Sequence, residues 1–205
     1  MENKIQLFVK KLNENAVIPT YAHVGDVGMD LTATDVEYDV EKDLYIYHTG
    51  LAFESDFNIA DFVFLRSSNR KTDAYLCNQV GIVDCAIYRG EVLICMKNRD
   101  SLSTLSELEG IKGYLDTLSI ISRCDNNITL KDATDSAIEI YKRSKEDYIQ
   151  RAKNLEFAPY KVGDKIAQMV CLKYPTVELI EKNELSDTER GTNGFGSTDK
   201  KIITT

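Results

Sequence analysis

Asp84 ends an apolar run in "NQVGIVDCAIYRGEV", and Tyr88 and Arg89 follow it within one short turn. A carboxylate that ends a strand can serve as a turn residue that accepts backbone hydrogen bonds, or it can take a proton from water. Three other stretches carry complementary groups. "AHVGDVGMDLTA" holds Asp26 and Asp30 around Gly28; "LRSSNRK" presents Arg66 beside the hydroxyls of Ser67 and Ser68; "VGDKIAQMV" sets Gln168 in a strand after a Gly-Asp turn. A fifth, "RGTNGFGSTDK", gathers Gly191, Gly194 and Gly196 around Phe195 and follows with Ser197 and Thr198. Singly, each reads as ordinary turn or loop chemistry. Together they supply what a nucleoside triphosphate needs. Arginines and hydroxyls bind phosphate oxygens, arginine in bidentate fashion. A carboxylate near a triphosphate can hold Mg²⁺ directly or through water. An aromatic ring can stack on a base, and glycine-exposed N–H groups can wrap phosphate.

The elements that must position these groups are mostly short strands. Apolar or alternating runs recur from Ile5 to Val9 and in "VEYDV", "LYIYHTGLAFE", "FNIADFVFLR", "EVLICM", "KIAQMVCLKY" and "TVELI", with turn signals at Gly25, Gly50, Asn69, Gly90 and Gly163. Such spacing predicts a β-sandwich or barrel. Between about Arg99 and Tyr160 the apolar period lengthens. Leu102, Leu105, Leu108, Ile111, Leu115, Leu118 and Ile121 form one helical stripe. A polar loop "RCDNNITLKDATD" follows, and then Ala137, Ile138, Tyr141, Tyr148, Ile149, Ala152 and Leu155 form a second. Pro159 closes the excursion. The reading is a β-domain of residues 1–98 and 161–189, a helical insert of 99–160, and a C-terminal arm of 190–205. Both ends of the insert return to adjacent strands, so it should be removable.

Composition bounds the function. With 205 residues the chain can bury one sizeable core. A net charge of −8 argues against non-specific nucleic-acid binding. The absence of a long apolar run or a signal-peptide core points away from membranes and to the cytoplasm. Five scattered cysteines without a C-x-x-C pair read as reduced thiols, and two distant histidines are too few for a histidine-built metal site.

The five stretches, in this order, resemble the five motifs of the homotrimeric dUTP pyrophosphatases (dUTPases), with "AHVGDVGMDL", "GDKIAQ" and "RGTNGFGST" close to the family pattern. The resemblance covers about residues 5–98 and 161–199. It implies a jelly-roll β-fold, three shared active sites per homotrimer, Mg²⁺, and hydrolysis of dUTP to dUMP and pyrophosphate. By motif, Asp84 would activate the attacking water and contact the 3′-hydroxyl, and Tyr88 would lie under the sugar and exclude a ribose 2′-hydroxyl. Asn78 and the strand Gly81, Ile82 and Val83 would face uracil. Asp30 and Gln168 would hold waters of the Mg²⁺ shell or the adjacent phosphate, and Arg66, Ser67 and Ser68 would grip phosphates from a neighbouring subunit. The arm would close as a lid, with Phe195 stacked on uracil, Arg190, Ser197 and Thr198 on the γ-phosphate, and Gly196 letting backbone approach.

Two departures from the pattern stand out. Cys85, Ala86 and Ile87 separate Asp84 from Tyr88 where the family has two residues, which is expected to add a bulge that re-aims Tyr88. Ser68 replaces a commoner glycine. A dCTP deaminase, or a bifunctional deaminase-pyrophosphatase, shares the fold, and "RSSNR" is similar to its second motif; Glu91 would be its only candidate carboxylate near the base. A further alternative is a nucleotide-responsive regulator that acts on a protein partner through residues 99–160. That insert has eleven acidic and nine basic residues, so it offers no basic face.

Overall fold

The structure is a computed structural model that describes residues 4–124, 128–188 and 191–192, with helix side chains described over 108–121 and 132–153. It has two compact units, residues 1–174 and 175–205. The first is mainly β and of jelly-roll type. Its strands are β1 (Leu7–Lys11), β2 (Met29–Thr32), β3 (Asp35–Asp39), β4 (Leu44–His48), β5 (Leu51–Ser55), β6 (Ile59–Leu65), β7 (Ala74–Leu76), β8 (Gly81–Val83), β9 (Leu93–Asn98) and β10 (Lys165–Lys173). Every pairing among them is antiparallel, in sheets ordered β1-β5, β2-β10-β6-β8 and β3-β4-β9-β7.

Alternation decides which faces are buried. In β6, Ile59, Asp61 and Val63 point inward while Phe62 and Phe64 are half-buried on the opposite face. Of these, Val63 joins Leu31, Tyr45, Tyr47, Phe53, Ile94, Met96, Ile166 and Met169 in one core. On the outer face of the same sheet, Phe62 pairs with Ile82 and Val170, and Ile82 and Leu172 are 67% and 50% exposed. An apolar stripe of this kind on a sheet face is expected to be covered.

The lengthened apolar period becomes helices α1 (Arg99–Cys124) and α2 (Ile128–Lys153), which pack on each other. Thr134, Tyr141, Tyr148 and Ala152 are buried along α2, at spacings of seven, seven and four that keep them on one face. The polar loop expected at 123–135 is helical on both sides of residues 125–127, and buried Thr134 extends the inward face of α2. On α1, Leu115 is buried, but Ile111 and Ile121, expected in its stripe, are about half exposed.

The base of the insert is stitched into the β-domain. Tyr148 Oη donates to buried Asp43 at 3.0 Å, and its ring stacks on Phe157 at 5.5 Å. Tyr47 Oη donates to the Tyr160 carbonyl at 3.1 Å and accepts the Tyr160 N–H at 3.0 Å. Tyr160 itself belongs to the β-domain core. The seam therefore lies inside the segment 99–160 rather than at its ends. The second unit, residues 175–205, carries no strand among its described residues, so "TVELI" is not one here; Val177, Leu179 and Ile180 are largely exposed. No helix among the described residues is long and apolar enough to cross a membrane.

Candidate active site

Strand β8 and the turn after it form one wall of a cavity of about 330 Å³. Asn78, Gly81, Ile82, Val83, Asp84 and Tyr88 line it together with Glu91, and Val63, Leu76 and Ile94 close its apolar side. Gly81 lets β8 lie close on β6, since a Cβ there would come 3.1 Å from that of Val63, which would have to give by a few tenths of an ångström. Asp84 is exposed on this wall, and among the described residues no donor meets its carboxylate. It is free to accept a proton from water.

The turn from Asp84 to Tyr88 explains how the longer spacing is accommodated. The Asp84 carbonyl accepts the N–H groups of Ile87 at 2.9 Å and Tyr88 at 2.7 Å, so the extra residue forms a single helical turn. Strand β8 has already ended at Val83, so the ladder carries no bulge at this point. Arg89 braces the turn by donating to the carbonyls of Cys85 at 2.7 Å, Tyr88 at 3.0 Å and Ala86 at 3.3 Å. Inside the turn, Cys85 is fully buried. Burial and the nearby Asp61 carboxyl push its thiol well above the usual range, and Cys171, also beside Asp61, is pushed up to about 12.

Glu91 sits on the same wall in a different state. Its Oε1 accepts the Gly50 N–H at 2.7 Å and its Oε2 pairs with His48 Nδ1 at 3.0 Å. A carboxylate engaged at both oxygens is poorly placed to shuttle protons at a base.

A second cluster gathers the other polar motifs. Arg66 Nε donates to Asp30 Oδ1 at 2.7 Å, Lys165 Nζ to Asp30 Oδ2 at 2.8 Å, and Arg66 Nη1 to the Lys165 carbonyl at 3.1 Å and to Ser68 Oγ at 3.4 Å. Partial burial acts to raise the Asp30 pKa, but the Lys165 hydrogen bond and the Arg66 charge outweigh it and hold the carboxyl below the usual range. Gln168 lies opposite Asp30 in the β10–β2 register and donates to the Leu65 carbonyl at 3.2 Å. A Cβ on Gly28 would lie 2.7 Å from Gln168 Oε1, so that glycine lets the amide sit against the β2 backbone. Ser67, exposed, begins a short 3-10 turn with Ser68. None of these residues lines the Asp84 cavity. Within one chain the sequence-read site is thus split in two. Arg190, Phe195, Gly196, Ser197 and Thr198 lie outside the described residues.

A family model described as dUTPase matches residues 153–199. The deoxyuridine 5'-triphosphate nucleotidohydrolases of Trichodesmium erythraeum and Clostridium kluyveri are each 28% identical over 195 residues, which is 95% of this chain and 99% and 98% of theirs. Over nearly its whole length the chain is thus similar to dUTPases, and its C-terminal part matches their family model.

Solved dUTPases share the fold. A mutant dUTPase of Staphylococcus bacteriophage 80alpha with dUpNHpp superposes with a TM-score of 0.57 at 20% identity, covering 94% of this chain and 98% of its own. The dUTPase from phage phi11 of S. aureus, described with a species-specific insert, gives 0.51 at 18% identity over 89% and 99%. A phi11 mutant is described as coordinating a structural Mg(II) ion. The motifs alone did not reveal Lys165 and His48 as partners of the candidate-site carboxylates. Lys165 was visible inside "GDKIAQ"; for His48 only the fold brings it to Glu91.

Proposed function

We propose that this chain hydrolyses dUTP to dUMP and pyrophosphate, with Asp84 taking a proton from the water that attacks the α-phosphorus. The observation that carries this reading is the single cavity wall shared by Asn78, Gly81, Ile82, Val83, Asp84 and Tyr88. Asn78 and the β8 backbone offer polar groups for a uracil edge, and Tyr88 offers a ring beneath the sugar. The water oxygen bonds to the α-phosphorus while the bridging P–O bond to the β-phosphate breaks. The proton goes to Asp84 and pyrophosphate leaves.

Arg66, Ser67, Ser68 and Gln168 bind the phosphates. Because their cluster does not line the cavity of its own chain, it serves the site of a neighbouring copy, which supports a homotrimer with shared sites. The apolar outer face of Phe62, Ile82, Val170 and Leu172 supplies a surface for that assembly. The arm, with Arg190, Phe195, Gly196, Ser197 and Thr198, closes over bound nucleotide.

The residues fit a magnesium ion that arrives with the triphosphate. Asp30 is ionised at neutral pH, but Arg66 and Lys165 beside it would repel a bare dication and attract a nucleotide complex. Asp30 and Gln168 would hold water of its shell, and the ion would neutralise phosphate charge. The enzyme works in the cytoplasm. Ile111, Tyr114, Ile120 and Ile140, each at least half exposed on the helices, support a protein-partner surface on the insert.

Pyrophosphate release measured against the common dNTPs and UTP, with and without Mg²⁺, tests the reading. Release from dUTP alone, lost without the metal, is expected. Ammonia release from dCTP would overturn it in favour of a deaminase, a role for which Glu91, held at both oxygens, is poorly free.

A further inference from the structure

We propose that His48 is a positioning residue for the sugar end of the site, acting through Glu91 on Tyr88, so that substrate affinity and deoxyribose selection tighten when its imidazole is protonated. The inference rests on the dUTP-hydrolysis reading above.

Three bonds meet at Glu91. Its Oε2 pairs with His48 Nδ1 at 3.0 Å, its Oε1 accepts the Gly50 N–H at 2.7 Å, and its backbone carbonyl accepts the Tyr88 hydroxyl at 3.1 Å. Between Tyr88 and Glu91 the chain passes through Gly90, where a Cβ would lie 2.3 Å from the Tyr88 oxygen. The ring is therefore folded back against its own backbone and held there through Glu91. Tyr88 and Glu91 line the cavity that Asp84 lines. Thr49 Oγ1 also donates to the Val92 carbonyl at 2.8 Å, and the Val92 N–H to Leu51 at 2.9 Å. The loop that carries Tyr88 is thus docked on the β4–β5 turn, and the His48–Glu91 link is the ionisable one among these bonds.

The surroundings of His48 favour its cationic form. Besides Glu91, Glu37 Oε1 of β3 lies 3.9 Å from Nε2, and Asp35 of β3 is its register partner. From β9 it faces Leu93, which carries no charge. The Glu91 hydrogen bond raises the imidazole pKa, partial burial opposes this, and the Glu91, Glu37 and Asp35 charges add to the rise. With its folded pKa above the ordinary value, His48 contributes the charged clamp at lower pH, and the clamp is lost as pH rises through that folded pKa. A neutral imidazole has one N–H only, and in one tautomer turns a lone pair toward Glu91. Both side chains are partly solvated, 29% and 23% exposed, so the effect should be modest, roughly 5-fold in affinity.

The test is KM and kcat for dUTP and UTP across the His48 titration in the wild type, His48→Ala and His48→Gln, each checked for folding by circular dichroism. The wild type is expected to lose about 5-fold in KM as pH rises, with kcat little changed and the preference for dUTP over UTP falling in parallel. His48→Ala should show the weak KM throughout. His48→Gln, whose amide can donate to Glu91 at any pH but carries no charge, should flatten the profile at the weaker, high-pH KM of the wild type. One shared KM profile for folded wild type and His48→Ala would overturn the inference. Failure of the wild type to hydrolyse dUTP would instead overturn the proposed function. The positioning claim would then be read by NMR from the Tyr88 ring signals, which must move with the His48 titration in the wild type and not in His48→Gln; signals that stay fixed overturn it.

Discussion

Asp84 and Glu91 are two carboxylates on one cavity wall that the fold treats in opposite ways. Asp84 meets no donor among the described residues, while both oxygens of Glu91 are occupied. Asp84→Asn should therefore lower kcat by about 10³-fold or more with KM little changed, because the proposed general base is lost while phosphate binding remains; steady-state pyrophosphate release measures it. Gly90→Ala should act the other way. Its Cβ would meet the Tyr88 hydroxyl at 2.3 Å, so the ring must leave its place, and KM for dUTP should rise about 10-fold with kcat reduced less. The grouping of Asp84, Tyr88 and Asn78 on one wall was legible in the sequence because they lie within one short stretch. The Glu91–His48 and Asp30–Lys165 pairs were not, since their members stand 43 and 135 positions apart and no local pattern links them.

At the scale of elements, the strands were legible from alternation, and the helices from the change of apolar period. The helix ends were not. "RCDNNITLKDATD" is rich in polar and turn-forming residues, yet most of it is helical, because a long antiparallel hairpin can bury a residue as small and polar as Thr134 against its partner. The contacts at the base of the insert were not legible for a related reason. Tyr148, Phe157 and Tyr160 read as insert by sequence position, but their contacts are with Asp43, with one another and with Tyr47. Replacing all of 99–160 by a short turn should consequently remove core as well as helix and destabilise the protein by several kcal/mol, as loss of a large buried aromatic does. Replacing only the distal residues 106–144, with the base of the hairpin kept, should leave melting temperature and dUTP turnover near wild type. Thermal melts of the two deletions side by side decide between these outcomes.

For the whole molecule, the proposed mechanism needs copies to assemble, because the Arg66–Asp30–Lys165 cluster does not line the Asp84 cavity of its own chain. Sedimentation should give a trimer, and Ile82→Asp on the apolar outer face should shift it toward monomer and abolish turnover, even though Ile82 touches no reacting atom in the proposed mechanism. Deletion from Arg190 onward should have the complementary effect, leaving a trimer of unchanged melting temperature that is nearly inactive. Acid should act through Asp30. Its folded pKa is depressed, so the Arg66–Asp30–Lys165 contribution is present above the unfolded carboxylate value, about 3.9, and is lost as pH falls through the folded one. An Asp30→Asn variant should show a shallower loss of stability over that acid range in pH-dependent melts.

The burial of Cys85 inside the turn between Asp84 and Tyr88 provides a built-in chemical clock. A thiol with no solvent contact and a raised pKa is inert to alkylating reagents until the segment around it opens. Exposed Cys77 should be labelled first and Cys85 far later, at a rate set by the free energy of transiently unwinding the turn between Asp84 and Tyr88. In the proposed mechanism nucleotide seats against that turn and would hold it shut. The slowing of Cys85 alkylation by a non-hydrolysable dUTP analogue would thus measure how strongly substrate rigidifies the residues that act on it, without any turnover taking place.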